Sequence, residues 1–174
     1  MKTMNKYFFY FCITIILSSC SPGIVGLMKL EDVQALKGDT LYVFLSDRES
    51  DINLHKKYNQ NRRANRLQKE TDSFNLKLEK AFKENYRFSD LQFAMDSEQK
   101  DVSFYATIDI TENYGERGNQ YLVQLNIRNK NGEIVENTFK ESSTDTNYNL
   151  NYLVKQLNRK LDRKYTQAKK MQGQ

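Results

Sequence analysis

Hydrophobic and polar positions divide the chain into one apolar leader and a series of short periodic segments. Tyr7–Leu17 (YFFYFCITIIL) carries no charge and is the most apolar stretch; Lys2 and Lys6 precede it and Ser18-Ser19-Cys20 follows. That order of parts, basic then apolar then small, is the order of a secretory signal peptide. A membrane-spanning helix needs about 20 apolar residues, and this run stops well short.

Beyond the leader, Thr40–Ser46 is rich in β-branched and aromatic residues, follows Gly38-Asp39, and reads as a buried strand. Asp47–Asp72 is polar without a clear period, which predicts a loop passing into a helix of undefined start. From Leu67 the apolar positions fall at Phe74, Leu78, Ala81 and Phe82, the stripe of an amphipathic helix ending near Tyr86–Ser89. Leu91–Met95 predicts a short strand. In Val102–Thr111, Val102, Phe104, Ala106, Ile108 and Ile110 alternate with polar or smaller partners, so one strand face is buried and one wet.

Asn113–Asn119, with two glycines, predicts a link to a strand over Gln120–Arg128, whose inward face is Tyr121, Val123, Leu125 and Ile127. Asn131-Gly132 signals a hairpin into Glu133–Phe139, whose register the pattern leaves open. Ser142-Ser143-Thr144-Asp145 offers several N-caps. Behind them Leu150, Leu153, Val154, Leu157, Leu161, Tyr165 and Ala168 keep helical spacing over about five turns. The order β-α-β-β-β-α predicts an α+β fold: a two-layer sandwich with a mostly antiparallel four- to five-stranded sheet and two helices on one face.

Leu17-Ser18-Ser19-Cys20 resembles the lipobox of bacterial lipoproteins, an aliphatic residue and two small ones before a cysteine. The resemblance implies that Cys20 receives a diacylglycerol, that cleavage falls before it, and that the new amino terminus is acylated, as with palmitate. The chain then divides into a signal peptide (1–19), a lipidated tether (20–38) that holds the only proline, and one α+β domain (39–174). Two or three acyl chains hold a protein stably on a membrane where one is marginal. In this family an aspartate after the cysteine retains the protein in the inner membrane. Here that place is Ser21, with no acid in the residues just beyond, which implies an outer-membrane anchor facing the periplasm. Cys12 leaves with the signal, so the mature chain has neither a free thiol nor a disulfide.

The mean hydropathy of −0.78 includes the leader, so the remainder is more hydrophilic still and its core thin. Of 27 Lys and Arg, Lys2 and Lys6 lie in the signal, which leaves a small excess over 22 acids. Two blocks hold that excess. Lys56, Lys57, Arg62, Arg63, Arg66 and Lys69 lie in His55–Lys69 with no acid among them. The second block, Lys155–Lys170, includes Arg159, Lys160, Arg163 and Lys164 and has Asp162 as its one acid. Such blocks suit an anionic partner, a lipid or glycan bearing phosphate or carboxylate. They also suit a solvated helix face whose long stems cover apolar edges. Export and the absence of nucleic-acid signatures argue against nucleic acid.

Catalytic patterns are missing. Asp47-Arg48-Glu49-Ser50-Asp51 starts like a calcium loop, but Ile52 and Tyr58 stand where glycine and glutamate are needed. His55 is the only histidine and no G-x-S-x-G elbow accompanies it. Asp109, Glu112 and Glu116 are a formal acid set for glycoside cleavage, though each reads as a solvated strand or turn residue. Gly115-Glu116-Arg117-Gly118 lacks the Lys-Ser/Thr ending of a phosphate loop. The expectation is therefore a non-catalytic envelope lipoprotein with no cofactor beyond its covalent lipid, binding or helping to assemble an envelope protein. An anionic lipid- or glycan-binding module is the alternative, and a wall hydrolase a more distant one. The element order is similar to that of the lipopolysaccharide-assembly lipoprotein that plugs an outer-membrane barrel, in architecture alone.

Overall fold

The computed structural model describes residues 28–95, 101–115, 118–142 and 149–173. The signal peptide, Cys20 and the segment that follows it to residue 27 lie outside the described residues, as do Glu116 and three of the four expected N-caps, 143–145.

In chain order the elements are α1 (Leu30–Lys37), β1 (Thr40–Leu45), α2 (Glu49–Lys57), α3 (Asn61–Asn85), β2 (Asp90–Met95), β3 (Phe104–Gly115), β4 (Gly118–Asn129), β5 (Ile134–Ser142) and α4 (Leu150–Gln172). The five strands form one sheet in the order β2-β1-β3-β4-β5. The long β3–β4 and β4–β5 pairings are antiparallel, whereas β1 lies parallel to both its neighbours, β2 and β3. An α+β sandwich with a mostly antiparallel sheet is what the pattern predicts. The parallel placement of β1 is not, because strand order is set by the crossover through α2 and α3.

The register puts Leu41 beside Phe104, Val43 beside Ala106, and Ala106 beside Ile127, so these residues share one face. With Val123 and Leu125 they are buried in a single core against Val33 and Leu36 of α1, Leu78, Ala81 and Phe82 of α3, and Leu153, Leu157 and Leu161 of α4. All of the core-forming helices pack on that face; the opposite face carries no helix among the described residues.

Four helices replace the expected two. The tether expected to run to residue 38 contains α1, whose Leu30, Val33 and Leu36 repeat every three residues; Val33 and Leu36 are fully buried, and Met28 is nearly so. Pro22 and the glycines of the tether colour only its first part. The polar stretch 47–72, expected as a loop with an undefined helix start, holds α2 and the first half of α3. It reads as aperiodic because the stretch buries isolated positions, Ile52, Ala64 and the polar Thr71, in place of an apolar stripe. The expected link 113–119 is mostly strand: β3 runs to Gly115 and β4 starts at Gly118.

The last helix begins at Leu150, several residues past the expected caps, with Asn149 in a left-handed conformation and no side-chain cap. In the preceding hairpin Gly132 takes a positive φ of 81°, which glycine adopts without strain. The register opposes Ile127 to Glu136 but Arg128 to Ile134, leaving Val135 as the extra residue of a bulge. The bulge places Glu136 and Thr138 on the helix face of β5, beside Ile127 and Leu125.

Candidate functional site

The two basic blocks have different environments. In α4, Lys160 and Lys164 turn toward the sheet and meet Glu136, whose side chain is completely buried. Lys164 Nζ donates to Glu136 Oε2 at 2.6 Å, and Lys160 Nζ lies 3.5 Å from Oε1. The backbone N–H of Asn137 donates to the same Oε1 at 3.0 Å. Lys160 also donates to the Asn137 carbonyl at 2.7 Å, and Lys164 contacts the Met28 carbonyl at 3.4 Å. A buried carboxylate is tolerated when charges and donors surround it in this way. These two of the expected anion-binding lysines are thus engaged with a carboxylate of the same chain. Arg159 and Arg163 remain exposed on the outer side of α4.

The first block stays outside. Lys56, Lys57, Arg62, Arg63, Arg66 and Lys69 are all exposed, at the end of α2 and along the first turns of α3. Their acidic neighbours are few. Glu70 lies 3.4 Å from Arg66 Nε, with both side chains more than half exposed, a pairing worth little in water. Arg63 donates to the Gln60 side chain at 3.4 Å.

Beside this block lies an open groove of about 660 Å³ between the first half of α3, the end of β1 and the outer part of β3. Its apolar surface is Phe74, Ile108 and Ile110, the last 41% exposed. Around it stand Arg48, Arg66, Lys69 and Lys77, with Glu70 the single acid of the lining. A second hollow of about 280 Å³ continues toward α2, sharing Arg48, Arg66 and Glu70 and adding Asp51, Leu54, His55, Arg63 and Leu67.

Strand length makes the groove. β1 pairs with β3 only from Leu41 to Val43 and ends at Leu45, whereas β3 runs on to Gly115. The helix-facing Ile108 therefore lies beyond the paired part of β1, and Ile110 beyond its end. Asn75 fastens α3 above them: its Nδ2 donates to the Ser46 carbonyl at 2.7 Å and its Oδ1 accepts from the Ser46 N–H at 3.2 Å. Arg48 turns the chain into α2 in a left-handed conformation and donates to Asp51 at 3.2 Å.

The remaining candidate residues have structural neighbours. His55 sits in the last turn of α2, not in a loop, with Nδ1 2.9 Å from Gln60 Oε1. Glu49 donates its N–H to Asp47 at the start of α2, and Asp51 is engaged by Arg48. Asp109 and Glu112 are three residues apart on β3 and so face opposite sides. Asp109 accepts from Asn126 Nδ2 at 2.7 Å and Arg128 at 3.2 Å, and Glu112 from the Tyr121 hydroxyl at 3.1 Å. Among the described residues no cluster of three or more metal-ligating side chains occurs, and no helix is long and apolar enough to cross a membrane.

Sequence reasoning singled out two of the four rim cations, Arg66 and Lys69, but not Arg48 or Lys77, and not the groove. Phe74 and Ile108 carry the spacing of core residues, and nothing local tells that the core ends before Ile110. No family model, curated protein or solved structure matches the chain.

Proposed function

We propose that the protein is a non-catalytic envelope lipoprotein, anchored through lipid on Cys20 in the outer membrane and facing the periplasm. Its domain binds an anionic lipid or glycan through the α2–α3 surface. The observation that carries this function is the exposure of all six cations of the first block beside a groove with one acid in its lining. The signal-peptide order of residues 1–20 supports the anchor.

The binding test places the acylated protein in phosphatidylcholine vesicles and offers a second population containing phosphatidylglycerol. Capture should occur and should weaken steeply with salt, as screening requires. Replacing Arg62, Arg63 and Arg66 together by alanine should abolish most of it. Capture that ignores both salt and these substitutions would exclude the α2–α3 surface. The anchor is tested separately: Cys20→Ala should leave unprocessed, unacylated precursor, and a variant of unchanged mature mass in the detergent phase would overturn lipidation.

A second function, docking of an envelope protein, is favoured by the sheet face that carries no helix among the described residues. There Phe44 and Tyr105 pack with centroids 4.8 Å apart and rings tilted by 33°, and Phe139 is 51% exposed. It predicts a stoichiometric partner that survives moderate salt in a mild-detergent pull-down.

A further inference from the structure

The groove beside the basic block divides into two chemically different parts, and the division is informative about the ligand. Phe74, Ile108 and Ile110 offer a contiguous apolar floor. A polyanionic glycan can lay the C–H faces of its sugars on that floor, but only by desolvating hydroxyls along its length, a cost that a hydrocarbon tail does not carry. Arg66, Lys69, Lys77 and Arg48 stand at the edge, four cations to one lining acid, Glu70, which pairs with Arg66, while Asp51 engages Arg48 from outside the groove. A neutral hydrocarbon would gain nothing from that excess of positive charge. The molecule that matches both parts has an acyl tail and an anionic head. The volume of about 660 Å³ suits one chain, within the roughly 300–1,000 Å³ of ordinary ligand clefts.

We infer that the groove binds a single-chain anionic amphiphile, its tail lying on Phe74, Ile108 and Ile110 and its phosphate or carboxylate held by Arg66 and Lys69. This rests on the anion-binding function proposed above and narrows it from any lipid or glycan to an acyl-bearing anion. The acyl chains expected on Cys20 carry no anion and would not answer the cationic edge. The placement also fits the topology, because the groove opens beyond the carboxyl end of β1, where it lies parallel to β3. Crevices at the carboxyl ends of parallel strands are frequent ligand positions. The Asn75–Ser46 pair of hydrogen bonds holds the two walls in register before the ligand arrives.

The experiment uses the full acylated protein in phosphatidylcholine vesicles, doped with a lysophosphatidic acid whose tail carries a photoactivatable diazirine. Crosslinked peptides are mapped by mass spectrometry. Parallel samples use the same tail on lysophosphatidylcholine and on a free fatty acid. Crosslinks are expected on the peptides of Phe74, Ile108 and Ile110, at least tenfold stronger with the anionic probes than with the zwitterionic one. A phosphate preference over the fatty acid would identify a phospholipid source, and the reverse a free carboxylate. Ile110→Asp should reduce the crosslinks at least tenfold, whereas Ile110→Leu, which keeps the apolar surface, should retain them. Lys69→Glu should remove the preference between headgroups.

Crosslinks scattered over the surface, or equal for charged and zwitterionic heads, would overturn the groove. If vesicle capture persists in that case, the surface function stands and only the tail site fails. If capture is absent as well, both fail together.

Discussion

The two basic segments, 55–69 and 155–170, look alike along the chain and are used differently. In α4, Lys160 and Lys164 are drawn inward by one acid, Glu136, buried on the neighbouring strand. In α2 and α3 no buried acid among the described residues meets the cations, and all six remain at the surface. A run of positive charge therefore specifies neither an interface nor a solvated face. What decides is whether a strand places a carboxylate opposite, and here a bulge at Val135 does so for α4 alone.

The largest effect should come from emptying the inward cluster. Lys160→Met with Lys164→Met leaves Glu136 as an uncompensated buried charge, a loss of about 4 kcal/mol by analogy with other broken buried pairs. For a chain of this size that lowers Tm by roughly 8–16 °C. Adding Glu136→Leu to the double variant should recover most of it, since well-packed apolar replacements of buried ion groups are often neutral. Thermal unfolding of the three variants measures both steps. A double variant as stable as the parent would show that the cluster contributes no more than the exposed cations do.

The outward cluster should give the complementary result. Each Lys or Arg near an anionic surface contributes about 1 kcal/mol, so Arg62, Arg63 and Arg66 changed together to alanine should weaken vesicle capture about 100-fold. Stability should change by less than about 0.5 kcal/mol for such exposed positions. The matching triple on α4, Lys155, Arg159 and Arg163, tests whether position or charge matters. Its expected loss of capture is under tenfold. Equal losses for the two triples would make the attraction a property of net charge and erase the distinction between the segments.

The fold was legible wherever a stripe of apolar residues faces the core. The α4 spacing from Leu150 to Ala168 and the alternation from Val102 to Ala106 both translate into burial. Where burial is sparse the pattern failed, and α2 with its single buried Ile52 is the clearest case. The site was legible as charge and illegible as shape. Six cations show in the sequence, but the groove beside them arises because β1 is half the length of β3. Strand order and relative length are long-range properties that local periodicity does not encode. Glu136 was missed for a related reason: in a polar strand segment, one glutamate is indistinguishable from its solvated neighbours until the bulge sets its face.

The smallest effect concerns the two ends of α3, whose basic start is exposed and whose C-terminal end packs Phe82 and the following Tyr86 into the core. Tyr86, just past that end, is 3% exposed and its hydroxyl lies 2.8 Å from Ser89 Oγ. Burial pushes its hydroxyl well above the usual tyrosine value, Asp162 adds to the shift, and the Ser89 hydrogen bond partly offsets it. A raised folded pKa means the native state keeps this proton after the unfolded chain has lost it. The stabilising contribution is fully present below about pH 10, the ordinary tyrosine value, and is lost as pH rises from there through the folded value. Tyr86→Phe should therefore lower by about one proton the steepness with which stability falls above pH 10. In a spectrophotometric titration of the parent, one tyrosine should ionise only with alkaline unfolding, and that late component should be absent from the variant. If every tyrosine titrates before unfolding, the C-terminal end of α3 is open to solvent, and the contrast between its two ends disappears.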